Sequence, residues 1–275
     1  MNQPRIGFVG TGNIGEPMVE RLLGAGHPTS VFARRTEVRN RLAARGAVLV
    51  DSAAGIAEGA DIVISCVFSD EQLMDVAPGI IEVMAPGSVF CSHTTGSPRN
   101  VERLAEIAAP REVAIVDAPF SGTPEIIRRG ELTVLLGGTD PAADTARKAV
   151  SAYASRIHRI GALGTALSAK LVNNALFAAF TQITLSALQA GEELGISETA
   201  LLAVLDDSSG GSTAARYIAN SGQDAATYSA RITRYLTKDL SSARAAAADI
   251  GADLDDLLAA SRLGPMDLDE PAAAR

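Results

Sequence analysis

Lys170, Asn173 and Asn174 fall at i, i+3 and i+4 of a stretch that reads as helix, which places an ammonium and a carboxamide on one helix face. A lysine beside an apolar cleft can have its pKa lowered toward about 7 to 8, which lets it take a proton from a substrate oxygen or return one. The neighbouring amide can orient that oxygen. Taken singly, a helical lysine ordinarily reaches for solvent and an asparagine marks a strained helix position. Two adjacent asparagines in an apolar helix weaken that simpler account.

A second pattern lies at the N-terminus, where Gly10-x-Gly12-x-x-Gly15 follows the apolar run 6–9 and precedes a helix-like stretch. In a strand-turn-helix the first glycine permits the bend, the second lets backbone approach a pyrophosphate, and the third lets helix pack on strand. The helix N-terminus then offers unpaired N–H groups to the phosphates. Asn13 and Ile14, inside the turn, count with the glycines as cofactor-binding residues. In NAD-binding forms of this unit an acidic residue ends the second strand, about 20 residues past the glycines. Here the strand ends Val31-Phe32-Ala33-Arg34-Arg35-Thr36, without a carboxylate. Arg34 and Arg35 stand where a 2′-phosphate would be held by charge-assisted bonds, so NADP(H) is expected in preference to NAD(H). The alternative is a pair of solvated residues at a strand end.

The elements that must carry these groups alternate. Short runs rich in Val and Ile at 6–9, 30–33, 48–50, 61–67, 89–92, 113–116 and 132–136 are separated by helix-like segments, the pattern of an α/β, doubly wound, mainly parallel sheet. The rhythm stops after 157–160, where Gly161 and Gly164 punctuate the chain, and everything beyond reads as helix. The expected division is a Rossmann dinucleotide-binding domain at 1–163 and an all-helical domain at 164–275. A helix from Thr165 to near Gly195, roughly 30 residues and about 45 Å long, joins them. Its body (Leu176, Phe177, Phe180, Ile183, Leu185, Leu188) is apolar on most sides, which suggests burial against other helices or a second subunit, hence a homo-oligomer, dimer or tetramer. The tail 267–275 reads as frayed and solvated.

The formal charge of −8 over 275 residues, with no Lys/Arg-rich block, argues against a nucleic-acid partner. The most hydrophobic later stretch, 171–190, carries Asn173, Asn174, Gln182 and Gln189, which argues against a membrane span. No basic and apolar leader pattern opens the chain. Its two cysteines, Cys66 and Cys91, lie in apolar strand-like runs and read as buried free thiols, so the expected compartment is the cytoplasm. None of His27, His93 and His158 has a partner that suggests a metal.

Together these motifs resemble the β-hydroxyacid dehydrogenases, the group of 3-hydroxyisobutyrate dehydrogenase, tartronate semialdehyde reductase and the glyoxylate or succinic semialdehyde reductases. The resemblance spans nearly the whole chain. It is carried by Gly7-Phe8-Val9-Gly10-Thr11-Gly12-Asn13-Ile14-Gly15-Glu16-Pro17-Met18, Ala25-Gly26-His27, Asp117-Ala118-Pro119-Phe120-Ser121-Gly122, Lys170-x-x-Asn173-Asn174 and Lys238-Asp239-Leu240. It implies an active site in a cleft between the two domains. It places the family's catalytic lysine on Lys170 and its substrate-orienting asparagine on Asn174. The Ser-Gly of the substrate loop falls on Ser121 and Gly122, with Thr123 beside them. Lys238 matches the lysine that closes over the cofactor, Thr95 a threonine near the nicotinamide, and Val67 and Phe68 a backbone contact after the fourth strand; Gln72 is counted with the cofactor-binding residues. Asp239 reads as a helix or salt-bridge residue, and Ser121 and Thr95 also suit ordinary turns.

The departures bear on the substrate. Ser-Gly-Gly of the family is here Ser121-Gly122-Thr123-Pro124, a later loop glycine is lost in Glu125-Ile126-Ile127, Ala166 stands for a glycine, and the chain beyond Gly251 is short. Pro124 has no N–H to offer. The leading expectation is hydride transfer between a nicotinamide and a small 3-hydroxy acid or semialdehyde carboxylate, with Lys170 as general acid and base and Ser121 and Asn174 in its catalytic set. Two alternatives stand beside it: an NADPH-dependent imine reductase, against which Lys170 argues, and a non-catalytic NADPH-binding protein.

Overall fold

Alternate residues of each central strand feed opposite cores, which is why the short apolar runs become buried strands. The computed structural model describes residues 3–269. Residues up to 170 form one compact unit and residues from 171 onward another. In the first, β1 (Ile6–Val9), β2 (Thr29–Phe32), β3 (Val48–Leu49), β4 (Ile62–Ser65), β5 (Val89–Ser92) and β6 (Ala114–Asp117) pair in parallel in the order β3-β2-β1-β4-β5-β6. Phe8, Ile64, Cys91 and Val116 face one core, with Met18 and Leu22 of α1 (Gly15–Gly24), Leu42 of α2 (Thr36–Ala44) and Tyr153. Val9, Val63, Phe90 and Ile115 face the other, with Leu73 and Ile80 of α3 (Asp70–Ile81) and Leu104 of α4 (Pro98–Ala108). Both faces are covered, as a parallel sheet requires.

The order reverses between β1 and β4, so the chain leaves those strands in opposite directions and opens a crevice at their carboxyl ends. Beyond β6 the sheet changes sense. β7 (Phe120–Ser121) pairs antiparallel with β8 (Leu132–Gly137), and β9 (Ala154–Gly161) pairs in parallel with β8. The sequence shows no strand pattern at 120–121 and a strand-like run only at 157–160. A two-residue strand has no periodicity to read, and β9 carries Ser155, Arg156 and His158 because only alternate residues of it turn inward. Between them lie α5 (Pro124–Arg129) and α6 (Asp140–Val150).

The second unit is helical. α7 (Thr165–Glu193) starts in the first unit and continues into it, followed by α8 (Glu198–Asp207), α9 (Thr213–Ala219), α10 (Ala225–Ile250) and α11 (Asp255–Ala260). The side chains of Ser197, Ser212 and Asp224 cap the starts of α8, α9 and α10. Their core gathers Ala178, Leu185, Leu202, Ile218, Tyr228, Leu240, Leu258 and Leu268. The fully buried Gln182 carboxamide of α7 donates to Met266 O at 2.7 Å and accepts from Met266 N–H at 2.9 Å, pinning the chain after α11. The expectation of a solvated tail therefore fails at its start, where Leu268 is buried and Asp269 pairs with Arg262 at 3.0 Å. Residues 270–275 of that tail lie outside the described residues. Among the described residues only α7 is long and apolar enough to cross a membrane by length and composition, and 56% of its apolar window is buried within the protein.

Candidate functional site

Each glycine of the N-terminal turn answers to a different constraint. Gly10 has φ +97°, and a Cβ there would lie 2.2 Å from the Cys66 carbonyl oxygen, so β1 and the end of β4 touch only because the side chain is absent. A Cβ on Gly15 would lie 2.0 Å from Gly10 O and 3.0 Å from the Phe8 ring, which is the helix-on-strand contact. Gly12 differs: a Cβ there would meet nothing within 4 Å. No neighbour demands glycine at 12, so the open space is on the ligand side, where backbone must come close to a phosphate. Helix α1 follows the turn without a side-chain cap, so no capping side chain neutralises its positive dipole end.

The space is a cavity of about 590 Å³. Its wall includes Gly10, Gly12, Asn13, Arg34, Arg35, Val67, Phe68 and Gln72, so most of the expected cofactor residues converge. Ile14, Gly15 and Thr95 are not in that wall. Ile14 and Gly15 act through packing at the helix start, and Thr95 follows Thr94, whose hydroxyl donates to Val67 O at 3.2 Å. Lys238 lies on α10 in the second unit. Sequence reasoning missed Thr11, Phe32, Cys66, Asp75 and Val76, which also line the cavity. Asp75 and Val76 sit one helical turn after Gln72, and that spacing was the available signal.

Arg34 and Arg35 leave the end of β2 exposed at the cavity rim. Arg35 reaches back to donate to Thr11 O at 3.3 Å, so its guanidinium stands over the glycine turn. Glu16 on α1 makes a two-pronged bond to Arg41 at 2.6 and 2.9 Å, which, with Arg35 and Arg128 nearby, holds its carboxyl below the usual range. Its charge is thus already matched by Arg41. The residues lining the cavity fit a dinucleotide.

Below the loop that follows β6, His93 is wholly buried. Its Nδ1 lies 2.5 Å from Ala118 O, which can only accept, so Nδ1 is assigned the proton and Nε2 accepts from Tyr153 OH at 2.8 Å. Burial pushes the imidazole down to about 4 and the Tyr153 phenol up. Cys66 and Cys91 are free; burial pushes the Cys66 thiol up to about 12 and Cys91 higher still, which leaves both protonated and inert. No cluster of three metal-ligating side chains occurs among the described residues.

In the loop after β6, Ser121 is exposed on β7 and Gly122 turns at φ +147°. The Thr123 hydroxyl accepts from Ile126 N–H at 3.5 Å and so caps α5, with Pro124 at its first position. Thr123 in place of the family's second loop glycine, with Pro124 directly after it, thus builds a helix start. On α7, Lys170 is half-exposed and Asn174 buried, one turn apart on a continuous helix, and Asn173 donates to Asn174 Oδ1 at 3.4 Å.

Residues 5–161 match the family model for the NAD binding domain of 6-phosphogluconate dehydrogenase, and residues 164–263 that for the NAD-binding region of NADP-dependent 3-hydroxyisobutyrate dehydrogenase. An NAD-dependent L-serine dehydrogenase of Pseudomonas aeruginosa is 32% identical over 76% of this chain and 72% of its own length. The mitochondrial 3-hydroxyisobutyrate dehydrogenase of Mus musculus is 31% identical over 74% of this chain, a span that covers 62% of the mouse protein. The structure of Mycobacterium tuberculosis 3-hydroxyisobutyrate dehydrogenase with L-serine superposes with a TM-score of 0.84 at 26% identity, covering 94% of this chain and 92% of that one. The chain belongs to the β-hydroxyacid dehydrogenase family of NAD(P)-dependent oxidoreductases acting on CH–OH groups.

Proposed function

We propose that the protein is an NADP(H)-preferring dehydrogenase of a small 3-hydroxy acid or the corresponding semialdehyde carboxylate. The observation that carries the cofactor choice is the pair Arg34 and Arg35 at the cavity rim, with no carboxylate between Phe32 and Thr36. A bound nicotinamide dinucleotide supplies the hydride acceptor or donor. Ser121 and the Gly122 N–H hold the substrate carboxylate, Asn174 orients the hydroxyl oxygen, and Lys170 takes the hydroxyl proton in oxidation and returns it in reduction. Hydride and proton leave the CH–OH group together, so the carbonyl product balances. Lys238 joins the cofactor-binding set on the strength of the family motif Lys238-Asp239-Leu240. L-Serine and 3-hydroxyisobutyrate, acted on by the relatives, define the first substrates to try. A homo-oligomer belongs to the same proposal, supported by Val172, Leu176, Phe180 and Ile183, exposed along one face of α7 in the isolated chain. So does a reducing, cytoplasmic setting for the two free thiols.

The test measures nicotinamide absorbance with NADPH and NADH against semialdehydes, 2-oxo acids and cyclic imines, and with NADP⁺ and NAD⁺ against 3-hydroxy acids. Lys170→Ala runs alongside and should lower kcat by roughly 10²-fold or more with cofactor affinity retained. An unchanged rate removes Lys170 from the mechanism. Turnover of cyclic imines alone favours an imine reductase, and tight NADPH binding without turnover favours a non-catalytic role.

A further inference from the structure

We propose that Asp117 is a positioning residue for Lys170, its buried carboxylate tying the start of α7 to the strand end from which the substrate loop departs. The inference rests on the reading of Lys170 as the proton-transfer group. Asp117 closes β6 and is fully buried. One carboxylate oxygen accepts from Gly164 N–H at 2.9 Å and the other from Leu167 N–H at 2.8 Å. These are orphan donors at the start of α7, and a charge there also meets the positive end of the helix dipole.

The local side chains of α7 do not replace this cap. Thr165 Oγ1 donates to Ala162 O and Ser168 Oγ donates to Gly164 O, so both hydroxyls serve carbonyls. The cap arrives from 47 residues earlier in the chain, and only a carboxylate offers two acceptors and no donor. Gly137 makes room for it: a Cβ there would lie 2.3 Å from Asp117 Oδ1. Lys170 follows Leu167 by three residues, and Ala118 to Gly122 follow Asp117 directly. One buried group therefore fixes both the helix that carries the lysine and the loop that holds the substrate.

Asp117→Asn keeps the size but turns a donor toward one of the two N–H groups. Amide exchange at 164–170 in the cofactor-free protein should accelerate by about tenfold or more, with exchange in α3 unchanged. On the substrate found above, kcat should fall by about 10- to 100-fold, with KM and NADPH Kd within about threefold, because misplacement of about 1 Å is costly to the chemical step alone. Gly137→Ala, which crowds the carboxylate while leaving Asp117 in place, should give the same signature and carries the comparison if Asp117→Asn fails to fold. On a Lys170→Ala background neither change should cost further kcat, since the group they act through is gone. Wild-type exchange at 164–170 in these variants refutes the tie. Wild-type kcat, a parallel loss of NADPH affinity, or a further loss on the Lys170→Ala background refutes the positioning role. Full activity of Lys170→Ala with the exchange effect intact refutes the lysine reading instead.

Discussion

Lowering the pH from 7 to 4.5 should destabilise this protein in a way that His93 accounts for. The imidazole is fully buried between Ala118 O and Tyr153 OH, and burial pushes it from 6.5 to about 4. A histidine whose folded pKa is depressed binds protons more readily when unfolded. Its contribution is therefore complete above about 6.5, declines as pH falls through the window from 6.5 to 4, and is lost below it. About 2.5 units at 1.36 kcal/mol each gives about 3 kcal/mol over the whole window. Asp117 works in the opposite sense, since burial raises its pKa and favours the fold as its carboxyl protonates. A difference measurement removes that contribution. Urea unfolding of wild type and His93→Gln at half-unit steps from pH 7.5 to 4.5 should show wild type losing about 2 kcal/mol more than the variant by the acid end. Parallel curves for the two proteins would refute the argument, because His93 would then not be the buried neutral group described.

The remaining expectations concern single residues. Gly10→Ala should cost more than about 2 kcal/mol of stability, since it forces a positive-φ position and a clash with Cys66 O. Gly12→Ala should leave Tm nearly unchanged yet weaken NADPH by about tenfold or more, the loss of one close backbone–phosphate approach. Calorimetry with fluorescence titration separates the two, and equal effects on Tm would overturn the distinct roles. Replacing both Arg34 and Arg35 by Ala should weaken NADPH by about 10- to 100-fold while sparing NADH, and a matched loss of both would show that they do not read the 2′-phosphate. Gln182→Ala should cost about 2–4 kcal/mol by stranding both backbone groups of Met266, and faster amide exchange around 266 should report it.

How far the sequence reaches is set by how far away each residue's partner lies. The chain spelled out β1 at 6–9 and β5 at 89–92, because a strand buried on both faces must be continuously apolar, and it spelled out most of α7 because Gly161, Gly164 and Gly195 bracket a long run of helix formers. It also spelled out the dinucleotide turn, where residue type is forced by a bend, an approach and a packing contact within six positions. It could not place β7, whose two residues exist as a strand only against β8, or reveal that Thr123 caps a helix. Nor did it reveal that Gln182 reaches Met266 across 84 residues, that His93 holds Ala118 O, or that Asp117 belongs to α7 as much as to β6. Local steric demands are written in the residues that meet them, whereas the partner of a buried polar group is chosen only when folding brings distant segments together and leaves no water to take its place.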